Sequence, residues 1–151
     1  MRELKIYHPN TKGTGACLRV THAECGDSTF SVYPQRQSKG MVAPGFNWDD
    51  GVLFIADWSD LAKMLMVFRG ECESLEDGRG LSYTHDAGWS KLMLRHVIEP
   101  VHCYVLEIYE KRDGVESRGI FTLSIAEALA LSLIFEGVLH HTLIGGVHEQ
   151  V

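Results

Sequence analysis

Cations and phenol rings recur at strand spacing in this chain: Lys5, Tyr7, Arg19, Tyr33, Arg36 and Lys39 in the N-terminal half, and Lys91, Arg95 and Tyr109 in the C-terminal half. Side chains two residues apart on a strand share a face, so Lys5 and Tyr7 point together, and Arg19 points away from its apolar neighbours Leu18 and Val20. Arg95 stands in the same relation to Leu94, and Tyr33 and Tyr109 to Val32 and Ile108. Tyr83 and the pair Trp89 and Lys91 extend the pattern. Such a surface suits single-stranded nucleic acid. Aromatic rings stack on unpaired bases, at about 1–3 kcal/mol per base, while cations follow the phosphates.

Other chemistries find less support. His140, His141 and His148, with Glu136 four residues before His140, could offer metal ligands on one helix. No second ligand set with recognisable spacing accompanies them, and histidines at a helix C-terminus are explained by the helix dipole. The chain has no G-x-S-x-G, no G-x-x-x-x-G-K phosphate loop and no dinucleotide fingerprint. His102 and Cys103 are adjacent and face opposite sides of a strand, so they cannot act as base and nucleophile together. No enzyme, metal site or cofactor is expected. Cys17, Cys25, Cys72 and Cys103 form no C-x-x-C pair and read as free thiols.

The elements that position the cations and rings come from a duplication. Residues 54–70, FIADWSDLAKMLMVFRG, recur in pattern at 121–137, FTLSIAEALALSLIFEG. Each copy starts as a strand and then presents a helix N-cap, Asp57 or Ser124, with an acid three residues on, Asp60 or Glu127. That is capping-box spacing. Each continues as an apolar helix and finishes on glycine, Gly70 or Gly137, which predicts two helices of equal length. Strand-like segments precede each helix in the same order: 4–8 matches 81–85, 16–22 matches 92–98, and 30–33 matches 106–109. Residues 35–50 supply the longer connection of the first copy. Each unit therefore reads as four strands and a helix.

The chain of 151 residues is long enough for one domain with its own core. It divides into repeats 2–70 and 79–137 and a short C-terminal tail, 138–151. No apolar run long enough to span a membrane is evident and no signal peptide opens the sequence, so a cytoplasmic protein is expected. The net charge is −6, unevenly spread: residues 1–48 carry six Lys or Arg against three acids, and the remainder eight against seventeen. The acidic stretch ECESLED, residues 71–77, reads as a solvated linker between the units. The last helix is apolar nearly all the way round, with Ile125, Leu129, Leu131, Leu133 and Ile134, which predicts burial on several faces and hence self-association.

The two units, the segment GFNWDDGVLFIADWSDLAKMLMVFRGE and the terminal LSIAEALALSLIFEGVLHHTLIG resemble the Whirly-type single-stranded DNA binding proteins across nearly the whole chain. The PUR-repeat proteins share the same unit. The lysine-rich KGKAAL motif of the plant Whirly proteins is absent. The resemblance implies an α+β fold of two tandem ββββα units, with two antiparallel four-stranded sheets packed across each other and a helix behind each. It also implies a tetramer joined through helical contacts, with DNA along sheet edges and between subunits. Two functions emerge as expectations. One is a single-stranded DNA binding protein, with RNA as the alternative ligand, serving transcription, recombination or repair. The other is a structural or regulatory homo-oligomer that keeps the fold without the nucleic acid.

Overall fold

The computed structural model describes residues 2–36 and 45–149, with side chains through Ile144. Strands β1 (Arg2–His8), β2 (Ala16–His22), β3 (Ser28–Arg36) and β5 (Val52–Ala56) form an antiparallel sheet in the order β1-β2-β3-β5, and helix α1 (Trp58–Phe68) comes next in the chain. A two-residue strand β4 (Gly45–Phe46) pairs with the end of β3, inside the long connection expected there. After a 3-10 turn at Leu75–Gly78, strands β6 (Leu81–His85), β7 (Gly88–Val97), β8 (Cys103–Arg112) and β9 (Val115–Leu123) form a second antiparallel sheet in sequence order, and helix α2 (Ile125–Glu149) ends the described chain. Two ββββα units are thus observed.

Alternation along the strands builds one shared core. Leu18 and Val20 of β2, Phe30 and Val32 of β3 and Phe54 of β5 turn inward and meet Leu92, Leu94, Leu106, Ile108 and Phe121 of the second sheet. Gly119 marks a close crossing of the sheets, since a Cβ there would lie 2.7 Å from the Cβ of Val32. The β8–β9 hairpin turns on Asp113-Gly114, both at positive φ, a dipeptide that adopts the tight turn required by strand twist.

Both capping boxes form. Asp57 accepts from the Asp60 N–H at 2.9 Å, and Asp60 accepts from the Asp57 N–H at 3.1 Å. Ser124 Oγ accepts from the Glu127 N–H at 3.1 Å, and Glu127 accepts from the Ser124 N–H at 2.9 Å. Each cap satisfies helix donors that would otherwise lack partners and contributes about 1 kcal/mol. Each helix touches both sheets. Helix α1 packs on β5 and β7, and α2 packs on β8 and β9 while Phe135 places its ring 5.7 Å from that of Phe30.

The helices are not equal in length. Helix α1 stops at Gly70, whose φ of 78° ends it, with the Arg69 and Gly70 amides turned back on Leu65 and Val67. Helix α2 runs through Gly137 to Glu149, so residues 138–149 extend the helix. Glycine permits a left-handed stop without compelling one. After Gly70 the sequence turns polar, whereas Val138 and Leu139 continue the apolar stripe and pack on the core. The stretch Ile125–Ile144 is also, by length and composition, apolar enough to cross a membrane, contrary to the sequence reading. Ala128, Leu131 and Phe135 within it are core residues. The opposite side carries Leu129 and Leu133, each 61% exposed. Burial on several faces is therefore not achieved within one chain.

The acidic linker is partly structured. Leu75 is buried and anchors the 3-10 turn, Glu76 pairs with Lys63 at 3.0 Å, and the Glu73 carbonyl accepts from the His96 N–H at 2.8 Å. Ser74 bridges to Arg95 of β7. The linker is a strap across the second sheet.

Candidate nucleic-acid interface

The structure places Lys5, Tyr7, Arg19 and Tyr33 on the outer face of the first sheet and Lys91, Arg95 and Tyr109 on that of the second. On the first sheet, Lys5 pairs in register with Arg19, and Tyr7 with Cys17, which in turn opposes Tyr33. The connection after β3 brings Phe46 and Trp48 over this face. Tyr7 lies 5.6 Å from Phe46, Tyr33 lies 4.9 Å edge-on to Trp48, and Lys5 Nζ stands 5.0 Å from the centre of the Trp48 ring. Tyr7 and Trp48 are about half exposed, so part of each ring is open to solvent.

Tyr33 is not. Its ring is 9% exposed, covered by Trp48 and closely approached by Gly51, where a Cβ would fall 2.3 Å from the ring. Tyr33 supports the aromatic cluster from beneath, and Trp48 takes the outward position. Arg36 is exposed at the end of β3, and Lys39 lies outside the described residues.

The charge on this face is tempered by one acid. Arg19 donates to Glu3 Oε2 from two nitrogens, and Lys5 lies 3.3 Å from Glu3 Oε1. The hydrogen bond from Arg19 is the chief cause holding the Glu3 carboxyl below its usual range, and Glu3 in turn raises the Arg19 guanidinium.

On the second sheet, Trp89, Lys91, Met93 and Arg95 alternate outward along β7, and Lys91 pairs with Tyr109 on β8. A further group that the sequence reading missed lies between them. Glu107, opposite Met93, accepts from Arg118 at 2.9 Å and from the Tyr109 hydroxyl, and its other oxygen lies 3.9 Å from Arg95. Burial pushes the Glu107 carboxyl upward, but the Tyr109 and Arg118 hydrogen bonds outweigh it and the net shift is downward. Glu107 likewise holds the Tyr109 phenol above its usual range. The signal for Glu107 was period-2 alternation with Tyr109 on β8; Arg118 is brought in only by the register of β9.

Tyr83 faces the opposite way from the expectation. It lies two residues beyond Leu81 on the same strand, so it turns inward with it, placing its ring 5.1 Å from Phe54 and accepting from the Ile55 N–H at 3.1 Å. Glu136 binds Arg69, His140 and His141 are exposed, and the side chain of His148 lies outside the described residues. His96 and His102 approach to 2.5 Å between their Nε2 atoms, yet no three His, Cys, Asp or Glu side chains converge as metal ligands among the described residues. All four cysteines are free thiols.

The paired crossed sheets with their two helices match solved structures along almost the whole chain. Arabidopsis thaliana WHY1 superposes with a TM-score of 0.66 at 13% identity, covering 99% of this chain and 92% of that one. This is the Whirly fold. The plant transcriptional regulator PBF-2 matches the Whirly fold of this chain with a TM-score of 0.67 at 14% identity, covering 99% and 85%. A guide-RNA-binding protein complex bound to a guide RNA matches it at 0.69 and 15% identity, covering 92% and 90%. No protein-family model matches the sequence, and no curated protein matches it.

Proposed function

We propose that this protein binds single-stranded nucleic acid, with DNA as its ligand, and serves as an accessory factor in transcription, recombination or repair. The observation that carries the reading is the outer face of the first sheet, where half-exposed Tyr7 and Trp48 stand beside Lys5 and Arg19. Rings of this kind stack on bases without demanding sequence, and neighbouring cations supply the phosphate contacts. The second sheet repeats the combination with Trp89, Lys91, Arg95 and Tyr109. Solved structures with this fold include a guide-RNA-binding complex and a plant transcriptional regulator, which supports the reading at the level of nucleic acid.

Self-association belongs to the same proposal. The exposed Leu129 and Leu133 leave α2 with an apolar face that a second copy would cover, and a homotetramer with α2 at its centre accounts for it. A second reading, an oligomer that has lost the ligand, is favoured by the tempering of Arg19 by Glu3 and of Arg118 by Glu107.

The deciding experiment titrates the protein with labelled thirty-base oligo-dT, oligo-U and a duplex of equal length at low salt. Binding of oligo-dT in the micromolar range or tighter, ahead of the duplex, is expected. A preference for oligo-U would make RNA the ligand, and no retardation of any strand at tens of micromolar would leave the scaffold reading.

A further inference from the structure

The second sheet holds a cleft that the stacking surface alone does not explain. Its volume of about 470 Å³ falls in the range of about 300–1,000 Å³ typical of small-molecule sites. Trp89 and Tyr109 contribute aromatic walls, and the linker strap closes one side with Ser74 and Leu75. Lys91 and Arg95 also line it. The carboxylate of Glu107 also lines it, and an acid is a poor choice for a surface that only tracks phosphates.

The two oxygens of Glu107 are unequally used. Oε2 accepts from Arg118 and from the Tyr109 hydroxyl, which fix the orientation of the carboxylate. Oε1 has Arg95 at 3.9 Å, beyond hydrogen-bonding reach, and no donor reaches it among the described residues. An oriented, largely buried acceptor therefore lines the same cleft as Trp89 and Tyr109.

The four bases differ in what they offer such an acceptor. Thymine and uracil present one imino N–H flanked by two carbonyl oxygens that a carboxylate repels. Adenine and cytosine present an amino group beside a ring-nitrogen acceptor. Guanine alone presents an imino and an amino donor side by side on its Watson–Crick edge, and single strands leave that edge free to be read.

We propose that this cleft selects a guanine base within a single strand, with Glu107 Oε1 accepting from its Watson–Crick edge, Trp89 and Tyr109 contacting its faces, and Lys91 and Arg95 meeting the flanking phosphates. The proposal rests on the single-strand reading above and adds base selection to it. The first sheet then supplies sequence-tolerant stacking and the second sheet a reading position.

The test compares short oligo-dT strands carrying one central guanine, adenine, cytosine, thymine or inosine. Central guanine should bind about tenfold tighter than thymine, the scale of one good base contact. Inosine, which lacks the amino group, should fall between them. Glu107→Gln should collapse the guanine-to-thymine ratio to near one. Because that carboxylate also holds Arg118, a wild-type arm stands beside it: a strand with central 6-thioguanine, photo-crosslinked, should label peptides containing residues 89–95 or 107–109. Free GMP should compete only at far higher concentration, and parity with the strand would overturn the proposal in favour of a mononucleotide ligand. Equal affinity for all central bases, or a crosslink confined to the first sheet, overturns guanine selection while single-strand binding stands. If no strand binds at all, both readings fall.

Discussion

Arg19 directs two nitrogens at a single oxygen of Glu3, at 2.6 and 2.9 Å, across the β1–β2 pair. The pair is only about a third exposed on either side, and it lies in the middle of the proposed binding face. Nucleic acid must compete with Glu3 for this guanidinium. Glu3→Gln should therefore strengthen binding of oligo-dT and steepen its salt dependence. Arg19→Ala should flatten the log–log salt slope by about 0.7, the release expected for one phosphate contact on a single strand. Affinities measured across a salt series check both, and a Glu3→Gln variant that binds more weakly contradicts this account.

Trp48 and Tyr33 should respond in different ways to truncation. Trp48→Ala removes a half-exposed ring and should weaken single-strand binding by about 1–3 kcal/mol, with the salt slope almost unchanged. Tyr33 is covered by Trp48, so Tyr33→Ala should lower the melting temperature, by the loss of a buried aromatic worth about 3 kcal/mol or more. Thermal melts beside binding curves separate the two roles.

Leu133 is 61% exposed on the free face of α2. A charge there costs little in an isolated chain and a great deal in an apolar contact between chains. Leu133→Asp should leave the circular dichroism of the fold intact and reduce the native mass below that of the wild-type oligomer. Light scattering at micromolar concentration reads the outcome, and a wild-type monomer would remove the tetramer proposal.

Glu127 closes the second capping box and also accepts from His8 Nε2 at 2.7 Å. Burial pushes its carboxyl upward, but the Ser124 amide and His8 hold it below the usual range. A carboxyl with a depressed folded pKa adds stability that is present above its unfolded pKa, about 4.3, and is lost as pH falls from there through the folded value. Glu127→Gln should thus melt lower than wild type at pH 6, with the gap narrowing below about pH 4. A gap that widens in acid would refute the assignment.

The sequence carried most of the fold because its signals are local. Both capping boxes lie within four residues, and the alternation around Leu18, Leu94 and Ile108 states which side of each strand is apolar. The same alternation assigns Tyr83 to the side of Leu81, so its inward position was legible once phase was counted from the leucine. Trp48 was harder. Its place over Tyr33 depends on the return of the chain after β3, which brings together residues with no local periodicity. Arg118 reaches Glu107 only through the β8–β9 register, and no spacing within one strand announces that pair. The length of α2 depended on the apolar residues Val138 and Leu139 beyond Gly137 rather than on the glycine itself.

The single core shared by both sheets has a consequence for synthesis. Phe30, Val32 and Phe54 find their partners on strands made after residue 80, and Phe135 closes over Phe30 last. A chain emerging from the ribosome with only its first repeat would hold a sheet whose apolar side has only α1 to rest on. The internal symmetry of the sequence therefore does not translate into two independent folding events, and a nascent first half must remain uncommitted, or be shielded, until translation reaches the second.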